Sequence, residues 1–223
     1  MEYSQTLDTA LLVKRILKTH TQHEWSLQGF GMLRLYLAED LRLHVWNSKF
    51  RVSGVSDIHD HPWDFSSRVV CGRVINRRFE EANVGNYGRW YPGPETHIKT
   101  KIICGDDARL QEPGMLYQGP YPVRLVEGPE ELYLPGQTYG QAAKEFHRSE
   151  MVDGTVTLCR RYFHSDFERD TAFVYVPIGS EWVSAKPRPA TQDEVFEFIQ
   201  PALALLQAML TGLKPTSPVR PKT

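Results

Sequence analysis

Residues 58–65 limit the fold of this chain more than any other segment, because they place His59 and His61 two positions apart. Side chains two positions apart point the same way only in extended backbone, so the pair favours a strand with both imidazoles on one face. Neutral imidazole is a common ligand of zinc, iron, copper and nickel. Asp60 lies on the opposite face and is a poor partner for the same metal. The segment predicts a metal site on a sheet, with two solvated surface histidines as the alternative.

A third histidine strengthens the metal hypothesis. His147 follows the turn residues Pro135 and Gly136 and precedes a strand-like run at residues 155–158. Two histidines from one strand and a third from a distant strand can hold a metal inside a small barrel, while open coordination positions face a cavity.

Short alternating runs separated by turn signals predict an all-β sandwich or barrel. Residues 32–37 and 41–46 both alternate between apolar and polar positions. In the second run Arg42, His44 and Trp46 share one face, which can point to the lumen or to solvent. For His44 we expect solvent.

The part of the chain after Gly72 is longer than a compact barrel needs. Residues 81–95 are rich in Gly, Asn and Pro and predict a loop, in which Trp90 and Tyr91 are candidates for a lid. Residues 98–104 are predicted to form one strand of an added hairpin. His97 is a lone histidine here and is not expected to reach the metal.

Helical patterns flank the predicted barrel. Residues 7–18 have the 3.6-residue period of an amphipathic helix, and residues 191–194 have the form of a capping box. The apolar run that follows needs cover from the barrel or a second subunit. Its part from residue 202 to residue 213 is too short to span a bilayer. The predicted organisation is an N-terminal helical segment (1–30), a barrel (31–180), a C-terminal helical segment packed on the barrel (181–213) and a disordered tail (214–223).

Composition restricts the partners. The formal net charge of −1 argues against broad binding to nucleic acid or to an anionic membrane surface. Cys71, Cys104 and Cys159 are odd in number and lack CxxC spacing, so a disulfide framework is not expected. The N-terminus lacks the form of a signal peptide. We therefore expect a cytoplasmic protein without nucleic-acid or membrane partners, and the apolar C-terminal helix suggests a homodimer.

The spacing of the histidines and glycines resembles the two cupin motifs, in the forms Gly54-x4-His59-x-His61-x10-Gly72 and Pro135-Gly136 through His147. The resemblance implies a double-stranded β-helix, or jelly-roll, barrel with an N-terminal and a C-terminal helix. Within the cupins, residues 58–61 and 146–150 are similar to thiol dioxygenases of the cysteine dioxygenase type. Those enzymes hold one ferrous iron with three histidines and lack the glutamate of most cupins. The glutamate position here is Phe65, and Asp64 would need a β-bulge to turn inward.

The resemblance implies that His59, His61 and His147 bind one Fe(II) ion. It also implies an oxygenase whose partners are dioxygen and a small-molecule substrate. In that family a thiolate and an amine bind the iron, and dioxygen oxidises the sulfur to a sulfinate. Zn, Ni, Mn and Cu stay open as alternatives, because ligand affinity alone favours copper and zinc over iron.

The remaining family residues match less closely, and the candidate catalytic residues are Arg34, Arg161 and Tyr162. Arg34 corresponds to the strand arginine that pairs with the substrate carboxylate, with a solvated strand arginine as the alternative. The place of the family's tyrosine is taken by Arg161, with Tyr162 out of register by one residue. The place of its thioether-linked cysteine is Ser66. An inward Arg161 or Cys159 would indicate a different, larger or more acidic ligand.

Two other functional classes stay open. Cupin isomerases, lyases and decarboxylases use a divalent metal as a Lewis acid. Non-catalytic cupins store or sense a small ligand.

Overall fold

The computed structural model describes residues 2–55, 57–82, 94–103, 117–163, 171–181 and 187–212. This part of the chain forms strands with a helix near each end. The elements are α1 (Glu2–Lys18), a 3-10 helix (His20–Gln22), β1 (Ser26–Gln28), β2 (Phe30–Tyr36), β3 (Leu41–Arg51), β4 (Ile58–His59), β5 (Asp64–Cys71), β6 (Val74–Glu81), β7 (His97–Ile103), β8 (Tyr117–Val123), β9 (Leu125–Tyr133), β10 (Thr138–Gln141), β11 (Phe146–Met151), β12 (Val156–Tyr162), β13 (Thr171–Pro177), β14 (Arg188–Pro189) and α2 (Gln192–Gly212).

The strands form two antiparallel sheets. Sheet I has the order β10-β5-β12-β3-β2-β1-β14, and sheet II has the order β8-β7-β13-β4-β11-β6-β9. Strands distant in sequence are neighbours in both sheets, as in a jelly roll. The predicted all-β class with a helix at each end is confirmed. The predicted loop lid at Trp90 and Tyr91, Cys104 and the predicted disordered tail lie outside the described residues.

The helices cover the outer face of sheet I. Leu43 and Val45 of β3 lie in one fully buried core with Leu17 of α1 and with Phe198 and Ile199 of α2. Period-2 alternation puts the apolar half of β3 on this side. The apolar face of β3 therefore points outward to the helices, and its polar face lines the space between the sheets.

This arrangement corrects the expectation for His44. The residue lies on the inner face of sheet I, where it is the cross-strand neighbour of Arg34 on β2 and of Thr157 on β12. Alternation correctly separates the two faces of β3. Which face meets solvent depends on where α1 and α2 pack.

The ends of the barrel also differ in detail from the sequence-based boundaries. Strand β1 (Ser26–Gln28) lies within the segment 1–30 that was predicted to be helical, and it pairs with both β2 and β14. Strand β14 (Arg188–Pro189) likewise precedes the C-terminal helix within the segment 181–213. These two short strands extend sheet I at one edge.

Helix α2 begins at the predicted capping box. The Glu194 N–H donates to Thr191 Oγ1 at 3.3 Å, and the Thr191 N–H donates to Glu194 Oε2 at 2.9 Å. The helix runs past Pro201 to Gly212, and its 21 residues make it long and apolar enough to cross a membrane. Its apolar stripe packs on sheet I and α1.

The motif glycine Gly72 permits a tight approach between strands. It has φ +80°, and a Cβ at this position would lie 2.3 Å from Thr155 Oγ1. Positive φ and the missing side chain both favour glycine. The turn joins β5 to β6 and so links sheet I to sheet II behind the histidines.

Candidate metal centre

The two sheets bring three histidines together on their facing sides. His59 ends β4, and its cross-strand neighbour on β11 is His147. His61 lies two residues beyond β4, in the segment that crosses to β5 of sheet I. The one-strand geometry predicted for the pair therefore holds only for His59, yet both imidazoles reach the same point.

The geometry suits one metal ion. One nitrogen from each of His59, His61 and His147 lies within 4.8 Å of the others. The Nε2 atoms of His61 and His147 are 3.2 Å apart. Nitrogen ligands about 2.1 Å from a metal, with 90–109° between them, lie about 3.0–3.4 Å apart. The His61–His147 separation is that of two ligands on one ion.

Hydrogen bonds fix the orientation of two imidazoles. The Nδ1–H of His59 donates to the Asp57 carbonyl oxygen at 2.9 Å. The Nδ1–H of His147 donates to Asn76 Oδ1 at 3.0 Å, and the Ser149 hydroxyl donates to the same oxygen at 3.0 Å. A proton held at Nδ1 leaves the Nε2 lone pair for a metal, which is the usual role of partners behind ligating histidines.

The backbone of His61 is also held in place. The Lys144 N–H donates to the His61 carbonyl oxygen at 2.8 Å, and the Ala143 N–H donates to Asp64 Oδ1 at 2.7 Å. Lys144 has a positive φ of 65°. The turn between β10 and β11 thus clamps the crossing segment against the strand that bears His147.

Burial favours the neutral form of all three imidazoles. Burial lowers the pKa of His59 and lowers the pKa of His61 and His147 well below the usual value. The neighbouring histidines lower the pKa of His61 further, and the guanidinium of Arg42 adds to this effect. Because a metal binds neutral imidazole, this environment prepares the ligands near neutral pH.

Aromatic rings surround the three histidines. Phe65 lies edge-on to His61 at 5.3 Å and is 5.6 Å from His147, both between ring centroids. Phe30 stacks on His59 at 5.2 Å, and Trp63 stacks on His61 at 5.5 Å. The place of a fourth protein ligand is therefore apolar, and the donor set of the described residues is three imidazoles.

The other acidic and histidine candidates lie elsewhere. Asp60 points away from the cluster, and its Oδ1 accepts the Phe173 N–H at 2.6 Å, so it fastens β4 to β13. Burial raises the pKa of Asp60 to about 6. The Asp64 carboxylate accepts a backbone N–H, as described above, and His97 Nδ1 is 2.8 Å from the Thr96 hydroxyl. None of the three belongs to the histidine cluster.

The inner face of sheet I carries buried arginines beside the histidines. Arg34 and Arg161, both candidates from the sequence, are 4% and 3% exposed, and Arg42 is 6% exposed. The Arg34 Nε–H donates to the Ser26 hydroxyl at 3.1 Å, and Arg42 Nη2–H donates to the Tyr36 hydroxyl at 2.8 Å. Cys159, also inward, has its pKa raised to about 11 by burial.

The structure does not bring Tyr162 to the site. Its side chain is 48% exposed, and its hydroxyl is 3.2 Å from Ser66 Oγ on the outer face of sheet I. Alternation along β12 turns Cys159 and Arg161 inward and Tyr162 outward. The residue that occupies the interior at this end of β12 is therefore Arg161.

The sequence analysis did not identify three residues of the site as functional. Asn76 is fully buried behind His147, and Ser149 shares its amide oxygen. Arg42 was noted only as part of a polar face. The available signal was a polar residue at an inward position of a buried strand, at Asn76 in Val74–Glu81 and at Arg42 in Leu41–Arg51.

Comparisons with protein-family models and with curated proteins find no match for this chain.

Proposed function

We propose that this chain is a metal-dependent small-molecule oxygenase of the cupin type, and most specifically an Fe(II) thiol dioxygenase-like enzyme. The observation that carries the proposal is the convergence of three buried imidazoles between two facing sheets, two of them oriented by hydrogen bonds, with an aromatic ring beside them in place of a fourth ligand. The cupin-like spacing of the motifs supports the same assignment.

The donor set fits a divalent ion. His59, His61 and His147 would hold the metal through imidazole nitrogen atoms, and Phe65 leaves no carboxylate to neutralise it. When bound, the ion supplies positive charge and adjacent open positions for a bidentate substrate and dioxygen. Imidazole suits Fe, Zn, Ni and Cu alike. The preference for Fe(II) therefore comes from the resemblance and not from the three ligands.

The proposed reaction adds both atoms of dioxygen to a thiolate sulfur and gives a sulfinate. Four electrons leave the sulfur and reduce dioxygen, so no further reductant is needed. The protein's own residues supply the enclosure: Phe30, Trp63 and Phe65 restrict water around the histidines. Exclusion of water protects reactive species from side reactions.

A second candidate is Lewis-acid catalysis on a small molecule, as in cupin isomerases and lyases. One observation favours it over oxidation of cysteine itself. Tyr162 lies on the outer face, and the inward position at that end of β12 belongs to Arg161, so β12 offers a positive charge where the resemblance expects a tyrosine. A non-catalytic cupin that binds the same ligand is the third class.

Metal content and oxygen uptake separate these functions. Protein purified without added metal is analysed by elemental analysis, and an Fe(II)-loaded sample is tested for oxygen consumption with cysteine and other small thiols. Iron near one per chain with thiol-dependent uptake supports the dioxygenase. Conversion without oxygen use indicates Lewis-acid chemistry. Ligand-induced stabilisation without turnover indicates a binding protein.

The metal assignment has its own test. His147→Ala is expected to abolish tight metal binding while the sheets stay folded, because it removes one of three ligands. His97→Ala is the matched control, since His97 lies outside the cluster. Full metal content in His147→Ala would remove that residue from the site, and loss of metal in the control would show a general effect on folding.

A further inference from the structure

A row of hydrogen bonds leads from His147 to the edge of sheet II. Asn76 on β6 is the cross-strand neighbour of Ser149 on β11 and of Glu131 on β9, the last strand of the sheet. The Asn76 Oδ1 faces His147, as described above, and the Asn76 Nδ2–H donates to Glu131 Oε2 at 3.3 Å. Strand pairing therefore places a carboxylate directly behind the amide that supports a candidate metal ligand.

The Glu131 carboxylate is held in place by its own neighbours. Its Oε2 accepts the Tyr133 hydroxyl at 3.1 Å, and the Arg78 Nε lies 3.7 Å from the same oxygen. Arg78 is fixed in turn, because its Nη2–H donates to the Gly140 carbonyl oxygen at 3.2 Å. The Glu131 side chain is 33% exposed, so it extends from the buried amide to the surface of the sheet. The oxygen that Asn76 contacts therefore has a defined position.

The Asn76 amide can bond in two orientations, because its oxygen and NH2 ends have nearly the same shape but opposite hydrogen-bonding roles. Ser149 does not select between them, since a hydroxyl both donates and accepts. A carboxylate only accepts, so Glu131 bonds to the NH2 end of the amide and repels the oxygen end. With the NH2 end toward Glu131, the oxygen end faces His147 Nδ1. Glu131 thus excludes the reverse orientation, which would present an N–H to His147.

The orientation of this amide determines which nitrogen of His147 carries the proton. An amide oxygen at Nδ1 favours the Nδ1–H tautomer, which leaves the lone pair on Nε2, 3.2 Å from His61 Nε2. An amide N–H at Nδ1 would favour the opposite tautomer, with a proton on the nitrogen that a metal needs. Neighbouring hydrogen bonds also polarise one another, so the carboxylate strengthens the amide oxygen as an acceptor.

We propose that Glu131 is a positioning residue of the metal centre, which sets the orientation of the Asn76 amide and thereby the tautomer of His147. The proposal rests on the proposed function only in taking His147 as a metal ligand. It does not depend on which metal binds or on which reaction follows. Through Glu131 the candidate metal centre is linked to the solvent-accessible edge of sheet II, on the side away from His59 and β4.

The tautomer of His147 in metal-free protein tests the proposal directly. Proton–nitrogen correlation spectra of the imidazole rings distinguish the two tautomers, and the signals missing from His147→Ala identify this ring. The native protein is expected to show the Nδ1–H form. Glu131→Met removes the acceptor and keeps a side chain of similar length, so the Nε2–H form should become populated. A His147 ring that stays in the Nδ1–H form in Glu131→Met overturns the proposal.

Two neighbouring glutamates give a matched pair of variants. Glu130 lies on the opposite face of β9, where it pairs with Arg77 at 2.7 Å. Glu130→Met removes the same charge from the same strand and should leave the His147 tautomer unchanged. Glu131→Gln keeps an oxygen that accepts from Asn76 and removes only the charge, so it should retain the native tautomer and bind zinc within about threefold of the native protein. Equal tautomer changes in the two Met variants contradict the proposal.

Zinc affinity separates a positioning role from a general effect on stability. Glu131→Met is expected to weaken zinc binding about 3- to 10-fold, less than the substitution of Asn76, because Glu131 acts through the amide. In the Asn76→Leu background, which has no amide to orient, the same substitution should have no further effect, and full additivity would contradict the proposal. Should Glu131→Met not fold, Glu131→Thr, which is too short to reach the amide and suits a strand, replaces it with the same expectations.

The measurement on metal-free protein separates this proposal from the proposed function. A tautomer that depends on Glu131, in a protein that shows no oxygen uptake when loaded with Fe(II), upholds the positioning role and removes the oxygenase. Thiol-dependent oxygen uptake, together with an unchanged His147 tautomer in Glu131→Met, upholds the oxygenase and removes the positioning role.

Discussion

Substitution of Asn76 by leucine is the sharpest test of how the metal centre is organised. The change keeps the size of the side chain but removes the amide oxygen that accepts from His147 Nδ1 and from Ser149 Oγ, each at 3.0 Å. Residues that form a hydrogen bond with the second ring nitrogen of a ligating histidine typically increase metal affinity by roughly 10- to 100-fold. The corresponding loss of binding free energy is about 1.4–2.7 kcal/mol.

The structure places this substitution toward the lower end of that range. Ser149 Oγ is 3.4 Å from His147 Nδ1 and can take over part of the acceptor role. We therefore expect metal binding about 10- to 30-fold weaker in Asn76→Leu and close to 100-fold weaker when Ser149→Ala is added. Folding stability should also fall by about 1–3 kcal/mol, because a buried imidazole N–H loses its acceptor.

Zinc affinity by competition with a coloured chelator measures the effect, and thermal unfolding in the absence of metal measures the stability separately. Asn76→Asp is the control, because a carboxylate at this position still accepts from Nδ1 and should keep tight binding. If Asn76→Leu bound zinc within about threefold of the native protein, the hydrogen bond to His147 would have no part in forming the site.

Three further predictions concern stability. Glu194→Gln should destabilise the protein by less than about 1 kcal/mol at pH 7, since the Arg188 partner is exposed. The Arg188 contact lowers the pKa of Glu194 from 4.5 to about 2, so its stabilising effect is present above pH 4.5. In thermal scans the difference in stability between variant and native protein should therefore shrink as the pH falls toward 2. Gly72→Ala should lower the free energy of unfolding by more than about 2 kcal/mol, and Gly179→Ala by about 1 kcal/mol, as measured by chemical denaturation. Both glycines have positive φ, but only a Cβ at position 72 would contact Thr155. Equal losses of stability in the two variants would show that this contact is unimportant. Removal of a metal present at 100 times its Kd should cost about 2.7 kcal/mol and lower the Tm by roughly 5–10 °C, and an unchanged Tm after chelation would argue against a bound ion.

Local patterns in the sequence predicted much of the framework. The i, i+2 spacing of His59 and His61 predicted a strand for both residues, and the structure has only His59 in a strand. The Thr191–Glu194 capping box set the start of the C-terminal helix. Gly72, the second glycine of the first motif, predicted a turn or a close backbone approach, and the structure confirms it. Each of these signals depends only on residues that are close in the sequence, so it can be recognised without knowledge of the fold.

The assignment of faces depended on tertiary structure. Alternation along β3 and β12 divides residues into two sets but does not say which set points inward. The packing of α1 and α2 on sheet I determines which set points inward, because the apolar side chains contact the helices and the polar side chains face the interior. His44, which was expected in solvent, and Arg161, which replaces Tyr162 in the interior, both follow from that one packing choice.

The sequence by itself determined that strands carry His59 and His147 and that a helix lies near each end of the β-rich region, because strand period, helix period and turn chemistry are local properties. Only the tertiary structure decided that Asn76 orients His147. It also decided that Arg34, Arg42 and Arg161, from three different strands, lie around the ring of Tyr36. Residues distant in the chain become neighbours through strand pairing, and no local pattern records that pairing.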